Sequence, residues 1–89
     1  MAKKRIRYLL EGAVQGVGLR YRAYHAAERF GVCGFVENCY DGTVLLEAEG
    51  EPEDIERMLQ AIEQGRFVEI EKASAKEIPC EDALSFEIR

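Results

Sequence analysis

Gly12-Ala13-Val14-Gln15-Gly16-Val17-Gly18-Leu19-Arg20 constrains this chain more than any other stretch. It reads as a strand end running into a glycine-rich loop that delivers an arginine to a helix start. A helix N-terminus presents unpaired N–H groups and partial positive charge, so a guanidinium there is repelled by up to about 1 kcal/mol. An anion shared by both removes the conflict. Gly16 and Gly18 let successive backbone N–H groups turn inward as a nest, and the Arg20 fork can hold two oxygens of a phosphate or carboxylate at once.

The apolar pattern lays out the elements around that loop. Residues 4–14 alternate, with Ile6, Tyr8, Leu10 and Val14 on one side and Arg5, Arg7 and Glu11 on the other, as in a strand with one wet face. Ala23, Ala26, Ala27 and Phe30 share one face of a helix over 21–30, and Gly31 stands where a helix would end. Extended runs at 33–40 and 43–49 flank Asp41-Gly42, a dipeptide that predicts an antiparallel hairpin. After Gly50, Glu51-Pro52-Glu53-Asp54 opens a second helix in which Ile55, Met58, Leu59 and Ile62 recur at helical spacing, with Gly65 as its end. Residues 67–78 return to extended character, Pro79 and Asp82 mark a loop, and 85–89 form a last short strand. Two helices of this length cover one sheet face. The expected fold class is therefore α+β, a ferredoxin-like split βαβ two-layer sandwich, βαββαβ plus a short terminal strand, with a mostly antiparallel sheet.

Composition narrows the partners. The 89 residues fit a single domain over 1–89, and 47% hydrophobic against 33% charged residues is a globular balance. No apolar run is long enough for a membrane span and no signal peptide follows Met1, so the expected setting is cytoplasmic, away from membranes. Net charge is −5, with Lys3-Lys4-Arg5-Arg7 the one basic cluster, which disfavours nucleic acid and favours small anions. Cys33, Cys39 and Cys80 are odd in number and lack CxxC spacing, as reduced structural thiols do, and a single histidine excludes any site that needs two. A zinc or disulfide framework is therefore not expected, and metal-dependent hydrolysis would have to rest on carboxylates alone.

Few side chains remain as candidates for chemistry. No Gly-Lys-Ser/Thr follows the loop, which disfavours a nucleoside triphosphate, and no cysteine precedes it to serve as nucleophile. Asn38 ends the second strand, where its amide can donate and accept toward a bound water or cap the turn. Gln15 can orient a ligand or satisfy loop backbone. His25 is expected to face solvent together with Tyr21 and Glu28. Glu47, Glu49, Glu51, Glu53 and Asp54 read as a solvated acidic rim of strand-edge and helix N-terminal charges.

At this point the chain resembles the acylphosphatase family, over essentially its whole length. The family's glycine-x-valine-glutamine-glycine-valine-x-aromatic-arginine signature is matched by Gly12, Val14, Gln15, Gly16, Val17 and Arg20, with Leu19 at the usually aromatic position. The second signature is matched from Gly34-Phe35-Val36 through Asn38, Gly42, Val44 and Gly50, and Phe86-Glu87-Ile88-Arg89 resembles family C-termini. By this resemblance, Arg20 and the backbone N–H groups of Gln15, Gly16, Val17, Gly18, Leu19 and Arg20 bind phosphate, and Asn38 positions the attacking water. The resemblance implies no cofactor, no metal and no covalent intermediate. Glu37 also departs from the family, which usually has a basic or uncharged residue there. In an extended strand it points away from Asn38, although its field would weaken anion binding at low salt.

The activity implied is hydrolysis of the carboxyl–phosphate anhydride of an acyl phosphate to a carboxylate and inorganic phosphate, by a monomer acting on small molecules. The alternative is a non-catalytic anion-binding or regulatory module, similar to the acylphosphatase-like domains attached to carbamoyl-transfer maturation proteins. An RNA-binding domain of the same topology would need aromatic strand residues and positive charge that this chain lacks.

Overall fold

A computed structural model describes residues 2–89. Strand β1 (Lys4–Ala13) leads into helix α1 (Leu19–Phe30), then the hairpin of β2 (Cys33–Asn38) and β3 (Val44–Gly50), helix α2 (Pro52–Glu63), β4 (Glu69–Ile78) and β5 (Phe86–Ile88). The sheet order is β4-β1-β3-β2-β5. β1 pairs antiparallel with β3 and β4, β2 pairs antiparallel with β3, and β5 adds parallel to β2. This is the ferredoxin-like sandwich the element order predicts.

Local chemistry moves several boundaries. α1 begins at Leu19 rather than Tyr21, because Gly18 serves as its N-cap with φ of 75° and Leu19 buries its side chain at once. Asp41-Gly42 turns the hairpin as expected, but β2 stops at Asn38 because Cys39 N–H already bonds Thr43 O at 2.8 Å. Asp41 accepts from the Thr43 N–H and hydroxyl at 3.1 and 2.6 Å, which locks that turn. Pro52 opens α2 with Glu53 and Asp54 in its first turn, and Gly65 N–H to Ile62 O at 3.1 Å extends the winding past Glu63.

Both helices lie on the sheet face formed by Tyr8, Leu10, Val36, Val44, Leu46 and Ala48, all in one buried cluster. The α1 stripe of Ala23, Ala26 and Ala27 meets Ile55, Met58 and Ile62 of α2 there. Small residues on one helix let the larger ones on the other reach the sheet.

The opposite face corrects two expectations. The charged side of β1 is wet at Arg7 but not at Arg5, and Glu47 and Glu49 are no acidic rim: Arg5, Glu47 and Glu49 are 2%, 3% and 2% exposed. β3 is the central strand rather than an edge, and residues 79–85 cross over its charged end. Arg5 binds Glu47 Oε1 at 2.8 Å and Glu49 Oε1 at 3.0 Å, while Arg7 holds the other Glu47 oxygen at 2.8 Å. Glu49 also accepts from the backbone N–H groups of Glu81 and Ala83 at 2.8 and 3.2 Å and pairs with Lys3 at 3.3 Å. Burial alone would push its carboxyl up; the Glu81 N–H, Arg5, Lys3 and the Ala83 N–H outweigh it and hold the group at about 2. Burial likewise opposes ionisation of Glu47, and Arg5 and Arg7 reverse the balance, leaving its carboxyl below the ordinary value. Among the described residues, no helix is long and apolar enough to cross a membrane.

Candidate active site

The end of β1 hands the chain to residues 14–18, where Gly16 and Gly18 take φ of 72° and 75°. These left-handed turns point the backbone inward. Val14 N–H bonds Gly12 O at 3.0 Å and Arg22 N–H bonds Gly18 O at 3.1 Å; among the described residues, none of the N–H groups from Gln15 through Arg20 has an acceptor. α1 has no side-chain cap and no acidic residue in its first turn, so nothing in the chain answers its N-terminal charge.

Arg20 sits inside that first turn. Its guanidinium donates to the main-chain oxygen of Arg89 at 3.1 Å, and no side-chain carboxylate pairs with it among the described residues. Loop and arginine together line a cavity of about 180 Å³ with Val14, Gly16, Gly18, Leu19, Arg20, Tyr21 and Asn38 around it. Asn38 reaches the cavity because it ends β2 on the side that carries Val36, the helix-facing side. Glu37 alternates to the other side and is not part of the lining, as expected for an extended strand.

The fold thus brings Gly16, Gly18, Leu19, Arg20 and Asn38 to one cavity. Gln15 turns its side chain the other way, its Nε2 donating to Cys39 O and Thr43 O at 2.8 Å each. Its amide ties the loop to the hairpin that carries Asn38, and only its backbone N–H remains for a ligand. Val17 packs its side chain against the core and likewise offers backbone alone. Leu19 occupies the position where the family signature has an aromatic, and is buried beneath the loop. His25 and Glu28 are exposed as expected. Tyr21 is exposed too, but it lines the cavity rather than facing away from it. The Arg89 main-chain oxygen was not visible as a partner of Arg20, because only the parallel addition of β5 beside β2 brings it near α1.

This geometry, a nest of free N–H groups with an arginine and a strand-end amide over one small cavity, is suited to a tetrahedral oxyanion. Comparison with known proteins gives the family. The family model for Acylphosphatase matches residues 6–88. An acylphosphatase of Clostridium acetobutylicum is 46% identical over 79 residues, covering 85% of this chain and 87% of that one. The crystal structure of acylphosphatase from Bacillus subtilis superposes with a TM-score of 0.90 at 31% identity, covering 97% of this chain and 98% of that one. Full-length HypF in the phosphate- and nucleotide-bound form contains a similar fold, TM-score 0.89 at 27% identity, but the match covers 99% of this chain and only 12% of HypF. With a matching signature, a matching fold and relatives matched over nearly their whole length, this chain belongs to the acylphosphatase family.

Proposed function

We propose that the phosphoryl group of an acyl phosphate seats in the 15–20 loop, its oxygens held by the free N–H groups and the Arg20 fork, while Asn38 orients a water for attack on phosphorus. The observation that carries this reading is the run of N–H groups without acceptors, shared by Arg20 and faced by Asn38 across one cavity. As the water oxygen bonds to phosphorus, the bond from phosphorus to the bridging acyl oxygen breaks, the electron pair leaves with the carboxylate, and the water's protons pass to the product phosphate and to solvent. A carboxylate departs without a proton, so the reaction asks for no general acid, no covalent nucleophile and no metal. Positioning and stabilisation of charge on the phosphoryl oxygens supply the catalysis. On this reading the chain works as a cytoplasmic monomer on small anions; its net charge of −5 supports that over nucleic acid.

The test is carboxylate release from benzoyl phosphate in chelating buffer by folded wild type, Arg20→Ala, Arg20→Lys and Asn38→Ala. Both Arg20 variants should lose on the order of 100- to 1,000-fold, because a point ammonium cannot replace a bidentate fork beside N–H groups. Turnover retained by both would remove Arg20 from the reaction. Asn38→Ala should lower kcat more than it weakens inhibition by inorganic phosphate; an equal loss of phosphate affinity would make Asn38 a binding group instead.

A further inference from the structure

A phosphoryl group in the loop fixes one end of the substrate and leaves the acyl end to find a surface. The cavity of about 180 Å³ is little larger than the ~150 Å³ that holds a single benzene. It has room for the phosphoryl group but not for a bulky acyl group as well, which must lie at the mouth. Few walls are available there. Val14 and Leu19 are buried, Gly16 and Gly18 have no side chain, and Asn38 is an amide. Tyr21 is the exception: it is a lining residue, carries a large ring and is 67% exposed. Tyr21 follows Arg20 on α1, so the two side chains leave the helix about 100° apart. One can hold the phosphoryl oxygens while the other lies along the rim.

We infer that Tyr21 is the specificity-determining residue for the acyl group, its ring forming the surface on which aromatic acyl phosphates stack. Acetyl phosphate, with a single methyl group, gains almost nothing from that surface. The inference rests on the phosphoryl seat proposed above. It is tested by kcat/KM for benzoyl phosphate and acetyl phosphate with wild type, Tyr21→Ala, Tyr21→Phe and, as a control, Leu84→Ala, which removes a side chain 97% exposed and outside the cavity lining. Alanine is a strong helix former at an exposed helical position, so the Tyr21 variant keeps α1. Tyr21→Ala should lose about 3- to 10-fold on benzoyl phosphate, the scale of one aromatic contact. Acetyl phosphate turnover should stay within about twofold, and Tyr21→Phe and Leu84→Ala should leave the ratio of the two substrates unchanged. An equal fall on both substrates, or no change in either, overturns the assignment while leaving the phosphoryl seat intact. Wild type inactive on both substrates overturns the seat and this inference together.

Discussion

Arg5 and Arg20 carry the same guanidinium and meet opposite surroundings. Arg5 is buried on the open face of the sheet, bound to Glu47 and Glu49, and those carboxylates are completed by Arg7, Lys3 and two backbone N–H groups. Arg20 stands at a helix N-terminus among N–H groups of its own sign, with the main-chain oxygen of Arg89 as partner. Acidic side chains are not scarce, since Asp and Glu number 17 against 12 Lys and Arg, so the lack of an acidic side chain at Arg20 is a matter of placement. A cation enclosed by buried carboxylates holds the fold together. A cation held by a single main-chain contact at an open cavity keeps donors free for a ligand.

Replacing each arginine by methionine breaks that comparison most directly. Arg5→Met leaves Glu47 and Glu49 buried with part of their compensation gone, and removing one partner of a buried ion pair costs about 3–5 kcal/mol. Urea unfolding should show that loss, with turnover per folded molecule little changed. Arg20→Met should do the reverse, with stability within about 0.5 kcal/mol of wild type, since one hydrogen bond at a partly open site is lost while an unfavourable charge leaves the helix N-terminus. A large loss of stability in Arg20→Met, or none in Arg5→Met, would erase the distinction.

The same comparison explains what could be read from the sequence. The Gly16–Gly18 loop, the Asp41-Gly42 turn and the apolar stripe of α2 are local signals, and each predicted element is found within a few residues of its expected place. Arg20 was legible because a charge beside a helix start is likewise a local fact, whereas Asn38, an amide at a strand end, reads equally as a turn cap until the resemblance to the family singles it out. The ionic face was not. Alternation in β1 and β3 separates two faces but cannot say which one another segment covers, and Arg5 is shielded by the connection at 79–85, far along the chain. Strand order was also needed: Glu47 and Glu49 look like edge charges until β3 is seen between β1 and β2. Gln15 poses the same difficulty, because its partners belong to a hairpin 24 to 28 residues away.

A second prediction sharpens the contrast through pH. The Glu49 carboxyl is held at about 2 in the folded chain, below the ordinary glutamate value of 4.5. A depressed carboxyl stabilises the fold above the unfolded value and loses that contribution as pH falls through the folded one. The stability difference between wild type and Glu49→Gln should therefore be greatest near neutral pH and shrink steadily from about 4.5 down to about 2. A difference independent of pH across that range would mean that Glu49 acts through packing alone.

The smallest effect comes from the residue that belongs to both regions. Gln15 stands in the loop of the site, yet its amide is used up inside the chain, as the side chain of Arg5 is, on the carbonyls of Cys39 and Thr43. Gln15→Ala removes both bonds and should cost about 1–2 kcal/mol in thermal or urea unfolding. Those bonds also span the two walls of the cavity, the N–H loop on one side and the hairpin that follows Asn38 on the other. If they set the spacing between walls, the variant should lose kcat severalfold while inhibition by inorganic phosphate, which needs only the loop and Arg20, weakens less. Glutamine placed elsewhere in the hairpin cannot restore the spacing, whereas Gln15→Glu keeps the side-chain length but sets a carboxylate against two carbonyl oxygens and should be the worse of the two variants. If Gln15→Ala instead destabilises the fold with kcat unchanged, the loop holds its own shape, and Gln15 belongs with Arg5 rather than with Arg20.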